Sequence, residues 1–266
     1  MRRRPESRVA DPVYRPIILA ARTLFTGLGL KLDIVGSEHI PRTGGAVLAI
    51  NHTSYLDFAL GGLPADEVGH RLVRYMAKDG IWKNPVAGPL MRGMKHIPVD
   101  RDAGSAAFRD AVAALKAGEL VGVFPEATMS RSFEIKDIKN GAVRMARAAN
   151  VPLIPMIIFG GARILSYGVK DFSRGKPICI TVGEPVPVPR GTDPDVIADE
   201  LRARLVALLD ETIARYPDKP AGAWWIPQRL GGSAPTPEEA LQIEERVRQE
   251  KAERRAQEEK AQEGTD

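Results

Sequence analysis

Four nearly continuous apolar runs constrain what this chain can fold into: residues 46–50 (AVLAI), 120–124 (LVGVF), 151–159 (VPLIPMIIF) and 178–182 (ICITV). They do not alternate between apolar and polar residues, so neither face of the resulting strand is meant for water. That is the pattern of strands in a parallel sheet covered by helices on both sides. Between and after them lie stretches with helical spacing. Residues 104–117 carry Phe108, Val112 and Leu115 and end at Gly118, and residues 138–149 and 195–216 follow the same period. Shorter strands are expected at residues 32–36 and 72–76, and short helices broken by Pro85 and Pro89 at residues 81–92. Strands alternating with helices predict an α/β layered fold with a largely parallel central sheet. At 266 residues the chain is ample for one substantial core with appendages.

The ends differ in character from this middle. Residues 1–32 hold seven basic residues (Arg2, Arg3, Arg4, Arg8, Arg15, Arg22, Lys31) against Glu6 and Asp11, a net +5 in a chain whose formal charge is +4. A basic arm attracts anionic surfaces, nucleic acid or phospholipid headgroups. The apolar stretch that follows, VYRPIILAARTLFTGLGLKL at residues 13–32, favours lipid over nucleic acid. Arg15, Pro16 and Arg22 interrupt it, and an arginine near the bilayer centre costs roughly 2.5–3.5 kcal/mol. The expectation is an amphipathic helix lying in the interface rather than a spanning helix or a signal peptide. Its alternative is a helix packed on the protein's own core.

Beyond Pro217 the chain turns rich in proline and glycine, then in Glu, Arg, Lys and Gln. Residues 240–261 read as a solvated helix or a partly disordered tail, because Leu241, Ile243 and Val247 make only a thin stripe. Trp224 and Trp225 suit either a membrane interface or packing on the main domain. The single cysteine, Cys179, excludes an internal disulfide and a cysteine zinc site, and reads as a small buried hydrophobe.

His52 follows the run at 46–50, at the carboxyl end of an expected parallel strand, where α/β sheets bind ligands. Asp57 stands five residues on, close enough to hold the imidazole and balance its charge when it takes a proton. Alone, His-x4-Asp is a weak signal. Three further segments strengthen it: His96-Ile97-Pro98-Val99-Asp100-Arg101, then Phe124-Pro125-Glu126-Ala127-Thr128-Met129-Ser130, then Val151-Pro152-Leu153-Ile154-Pro155-Met156. With Asn51-His52-Thr53-Ser54-Tyr55-Leu56-Asp57, in this order, they resemble the four blocks of the glycerolipid acyltransferase family, best known for the lysophosphatidic acid acyltransferases. Thr53 or Ser54 is expected to cap a helix running to about Gly61.

The resemblance implies the rest. His52 matches the catalytic histidine and Asp57 its partner acid. Arg101 matches a residue the family turns toward the substrate phosphate. Glu126 matches an acid that shapes the acceptor site, with Thr128 and Ser130 beside it, and Pro152 and Pro155 match the fourth block. Where the family commonly has Glu-Gly-Thr-Arg-Ser, this chain has Glu126-Ala127-Thr128-Met129-Ser130, and Arg131 is the nearest substitute for the absent arginine.

The implied organisation is a basic arm and interfacial helix (1–31), an acyltransferase domain (32–216), and a linker with a charged tail (217–266). The implied partners are a membrane phospholipid surface, a lysophospholipid acceptor and an acyl thioester donor, acyl-CoA or acyl carrier protein, on the cytoplasmic face of the membrane. No resident cofactor or metal is expected. Another lysophospholipid or a different lipid hydroxyl as acceptor, or a non-catalytic lipid-binding protein on the same fold, are the competing readings. An intact His52–Asp57 pair disfavours the second.

Overall fold

The computed structural model describes residues 13–100 and 104–263. Residues 1–12, with most of the basic arm, and Arg101 with its two successors lie outside that description, as do the last three residues. In chain order the elements are α1 (Tyr14–Gly27), β1 (Lys31–Val35), β2 (Ala46–Ile50), α2 (Asp57–Leu60), α3 (Leu63–Glu67), β3 (Val73–Lys78), α4 (Ala87–Gly93), β4 (Ile97–Val99) and α5 (Gly104–Lys116). Then come β5 (Leu120–Val123), α6 (Gly141–Ala149), β6 (Leu153–Phe159), β7 (Leu165–Ser166), β8 (Val169–Lys170), β9 (Pro177–Val182), α7 (Pro194–Arg215) and α8 (Pro237–Glu263).

Seven strands form one sheet in the order β1-β9-β6-β2-β5-β3-β4. β2 lies at its middle, parallel to both β5 and β6, with Ala49 opposite Val123 on one side and Pro155 on the other. The sheet is α/β and mostly parallel. β9 runs antiparallel to β6, and β1 follows β9, so one edge is reversed. The short β7–β8 hairpin lies apart from the main sheet and has no counterpart in the apolar runs.

The continuous runs are buried on both faces because each face has its own core. Val47, Ala49, Val121, Leu153 and Ile157 pack with α5, α6 and α7, where Leu201, Leu205 and Leu209 contribute. Ala46, Leu48, Ile50, Leu120 and Ile154 pack on the other face with Phe25 of α1 and Leu60 of α2. Cys179 is buried in the first core, and burial pushes its thiol up to about 11. Such a group is a packing residue and a poor nucleophile.

Around residue 53 the local structure differs from expectation. The helix begins at Asp57 with Leu56 at its N-cap, and neither Thr53 nor Ser54 caps it. Ser54 Oγ instead accepts the Leu56 N–H (3.0 Å) and donates to the Leu165 carbonyl (2.8 Å), tying the loop to β7. The N–H groups of Thr53 and Ser54 are taken by the Asp57 carboxylate, so the chain turns around that carboxylate before the helix starts.

Candidate active site

β2 delivers His52 through Asn51, whose side-chain amide accepts the Ile158 N–H (2.7 Å) and donates to the Ile158 carbonyl (3.1 Å). The side chain thus extends the pairing of β2 with β6 one residue further, and the chain leaves the sheet at a fixed point. Asn51 acts on the backbone, not on the cleft.

His52 is held at three places. Its N–H donates to Glu126 Oε1 (2.9 Å), and its carbonyl accepts the Ser130 N–H (2.7 Å). Its ring Nδ1 lies 2.9 Å from Asp57 Oδ2. The ring stacks on Phe124 (centroids 4.3 Å apart, 26° between planes), and Phe58 meets it edge-on at 5.9 Å. Phe124 lies in turn over Tyr75 (6.0 Å, 9°). Glycine at 122 makes that column possible, since a Cβ there would fall 2.6 Å from the Tyr75 ring.

Asp57 is fully buried. Oδ2 accepts the Thr53 and Ser54 N–H groups, each at 2.8 Å, besides facing His52. Burial pushes the carboxyl up, while the His52 ring and the two N–H groups oppose it. Three donors converging on one oxygen concentrate the negative charge beside Nδ1 and fix the proton there. Nε2 is the nitrogen left to accept a proton.

Of the third-block residues after Phe124, Glu126 and Ser130 contact this pair, both at the His52 backbone. Glu126 is buried, and burial pushes its carboxyl up to about 7 against the N–H groups of Lys136 and His52. Thr128 Oγ1 accepts from Lys136 Nζ (2.8 Å). Ser130 Oγ donates to the Glu134 carbonyl (2.7 Å) and lies 3.1 Å from Ser132 Oγ. Met129 is buried. Arg131 places its guanidinium 3.9 Å from the Tyr167 ring centroid. Arg101, the second-block candidate, lies outside the described residues. The other histidines are engaged elsewhere: His39 with the Val182 carbonyl, His70 with Asp66, His96 with the Tyr75 N–H.

Two participants escaped the sequence reading. Lys136 carries no motif, yet its backbone N–H reaches Glu126 Oε2 (3.0 Å) and its Nζ reaches Thr128 and Glu244. Phe124 was read as the end of an apolar run and the first residue of the third block, with no role of its own, and its place just before Pro125-Glu126 was the available signal.

A histidine–carboxylate pair at the carboxyl end of a central parallel strand, with a buried second acid behind it, can take a proton from a hydroxyl. Comparison supplies the class. Residues 31–159 match the family model described as Acyltransferase, and the chain belongs to the acyltransferase family. It is 31% identical over 159 residues to the 1-acyl-sn-glycerol-3-phosphate acyltransferase of Bacillus subtilis, an alignment covering 58% of this chain and 73% of that one. It is 27% identical over 185 residues to a chloroplastic 1-acyl-sn-glycerol-3-phosphate acyltransferase of Arabidopsis thaliana, covering 68% of this chain but 49%, about half, of the plant protein. The crystal structure of the 1-acyl-sn-glycerophosphate (LPA) acyltransferase PlsC from Thermotoga maritima shares the fold, with a TM-score of 0.64 and 22% identity over 80% of this chain and 86% of that chain.

Proposed function

We propose that this enzyme moves a fatty acyl group from a thioester, acyl-CoA or acyl carrier protein, onto the free hydroxyl of 1-acylglycerol 3-phosphate, making phosphatidic acid for phospholipid synthesis. The observation that carries this reading is the 2.9 Å contact of His52 Nδ1 with a buried Asp57 at the end of β2. His52 Nε2 takes the proton of the acceptor hydroxyl as its oxygen attacks the thioester carbonyl. Asp57 holds the tautomer and offsets the positive charge that develops. The thiolate leaves directly, so no acyl-enzyme is needed. Glu126 keeps the His52 backbone in place, with Thr128 and Ser130 shaping the same loop. Arg101 meets the acceptor phosphate, and Arg131 stands in for the arginine that Met129 replaces. That replacement favours a second reading of the acceptor, a lysophospholipid with a different headgroup.

The lipid substrate fits a peripheral enzyme on the cytoplasmic face of the membrane, resting on α1. Leu19 and Leu24 of α1 are exposed, as are Val86 and Leu90 at α4. Among the described residues no helix is long and apolar enough to cross a membrane. α1 is also tied to the protein, for Tyr14 Oη donates to the Val73 carbonyl (2.7 Å) and Arg22 pairs with Asp66. Thiol release from acyl-CoA over a panel of lyso-acceptors tests the reaction. Folded His52→Ala should lose at least about 10²–10⁴ in rate, and near-normal turnover by that variant would end the proposed chemistry.

A further inference from the structure

Residues 124–140, between β5 and α6, contain neither helix nor strand. Yet they carry both backbone anchors of His52: the Glu126 carboxylate that takes its N–H, and the Ser130 N–H that meets its carbonyl. Loops beyond about 12–15 residues without a ladder of their own are uncommon in compact domains. Two non-glycine residues of this one, Ala127 (φ +62°) and Phe133 (φ +59°), lie in the left-handed region, which persists only where the surroundings impose it. Its shape is therefore set by what packs on it. α7 contributes Arg202, which donates to the Ile135 and Lys136 carbonyls (3.2 and 3.1 Å).

Further clamps come from residues 217–263, beyond the stretch that matches the family model. They reach His52 by two paths. On the first, a reciprocal cap fixes the start of α8: Thr236 Oγ1 accepts the Glu239 N–H (3.2 Å), and the Glu239 carboxylate accepts the Thr236 N–H (2.8 Å). Ala240 is buried, and Glu244, one turn later on the same face, meets Lys136 Nζ with both oxygens (2.7 and 2.8 Å). Each of these side chains is 20% exposed, so the pair is screened less than one in open water. Nζ also donates to Thr128 Oγ1, and the N–H of the same lysine donates to Glu126, which holds the His52 N–H. On the second path, Arg229 is held by Asp210 of α7 and donates to the Glu134 carboxylate (2.6 Å). The Glu134 carbonyl accepts Ser130 Oγ, and the Ser130 N–H meets the His52 carbonyl. Trp224 packs on the left-handed Phe133 (ring centroids 5.9 Å apart).

We propose that the C-terminal segment is a clasp that positions the proposed base, with Glu244 and Arg229 as its positioning residues. Glu244 acts through Lys136 and Glu126 on the His52 N–H, and Arg229 through Glu134 and Ser130 on the His52 carbonyl. The inference rests on the acyl-transfer reading and extends its machinery to a part of the chain outside the family match. A misplacement of about 1 Å at a reacting group costs on the order of 10²-fold in rate, and loss of one path relaxes the loop only in part.

The test uses the full chain. Glu244→Ala and Arg229→Ala should each lower kcat about five- to tenfold, with the KM of lysophosphatidic acid and of acyl-CoA within about twofold. Should either fail to fold, Lys136→Met and Glu134→Ala cut the same paths from the loop side. Glu244→Gln keeps an oxygen for Nζ and should recover most of the loss. Glu244→Ala with Lys136→Met should lose no more than the larger single loss, because both cut one path. The control is Asp218→Asn, whose ion pair (2.7 Å) fastens the same segment to Arg163 rather than to residues 124–140. Its kcat should stay within about twofold of wild type. Folded variants with unchanged kcat overturn the clasp, as does a loss confined to KM or an equal loss in Asp218→Asn. Additive losses in the double variant overturn the path through Lys136. If wild type transfers no acyl group, the acyl-transfer reading fails, and amide hydrogen exchange still decides the clasp. The His52 amide should exchange several-fold faster in Glu244→Ala, and the Ser130 amide in Arg229→Ala, with neither changed in Asp218→Asn. Exchange unchanged in both alanine variants overturns it.

Discussion

Glu126 holds His52 by its backbone and not by its ring: Oε1 accepts the His52 N–H at 2.9 Å while Oε2 accepts the Lys136 N–H at 3.0 Å. The two loops that meet at the site are joined by one buried carboxyl group. Its influence on His52 is one of placement.

Burial raises this carboxyl from 4.5 to about 7, so the folded protein favours its neutral form. The contribution to stability is fully present below pH 4.5 and is lost as pH rises through about 7. Glu126→Gln should remove that slope. Urea melts across this range should show wild type losing up to about 3 kcal/mol relative to the variant, with the difference constant above it. A difference that stays flat from acid to neutral pH would contradict the assignment.

Asp57→Asn keeps the shape of the side chain but removes the charge that three donors share. It should lower kcat by about 10²–10⁴ with smaller changes in either KM. Steady-state kinetics of the folded variant checks this. A loss confined to KM would make Asp57 a binding residue only.

Ala127 occupies a left-handed backbone conformation, φ +62°, between Glu126 and Thr128. An L-residue there carries a steric cost of about 1–2 kcal/mol that glycine avoids. Ala127→Gly should therefore leave stability unchanged or raise it by up to about 1 kcal/mol, after allowing for glycine's looser unfolded chain. In an ordinary position the same change destabilises, and a clear drop in the melting midpoint would refute the reading.

The Tyr75 hydroxyl is buried without a hydrogen-bond partner among the described residues. Tyr75→Phe removes an unsatisfied group and keeps the ring beneath Phe124. Stability should hold or rise by about 1 kcal/mol, measured by denaturant titration. A loss of more than about 1 kcal/mol would mean the hydroxyl is satisfied in solution.

Deleting α1 would uncover Phe25 and the Tyr14 contact, so exposed positions make a better test of membrane contact. Leu19 and Leu24 are 67% and 50% exposed. Changing both to glutamate should weaken co-sedimentation with anionic vesicles several-fold while leaving thermal stability within about 0.5 kcal/mol. Unchanged sedimentation would move the contact away from α1.

The strands of the parallel core were legible because Ala46–Ile50 is apolar at every position and its companions nearly so, and only a doubly covered strand needs that. The reversal of β9 was not, since residues 177–182 are equally apolar in either direction. The start of α2 was misplaced because Thr53 and Ser54 look like caps, whereas a carboxylate four and three residues later takes their N–H groups. His52 and Asp57 stood out by spacing within a block. Lys136 did not, for its contacts to Glu126, Thr128 and Glu244, the last 108 residues away in sequence, are made only by the fold and belong to no motif.

The face-to-face packing of His52 on Phe124 at 4.3 Å gives the proposed base a magnetic label. Protons of an imidazole above an aromatic face are shielded by its ring current. Among four histidines, the His52 resonances should be displaced upfield, which makes its protonation readable by NMR in the unmodified enzyme. Phe124, stacked on that ring, thereby makes the proton that the proposed reaction moves readable.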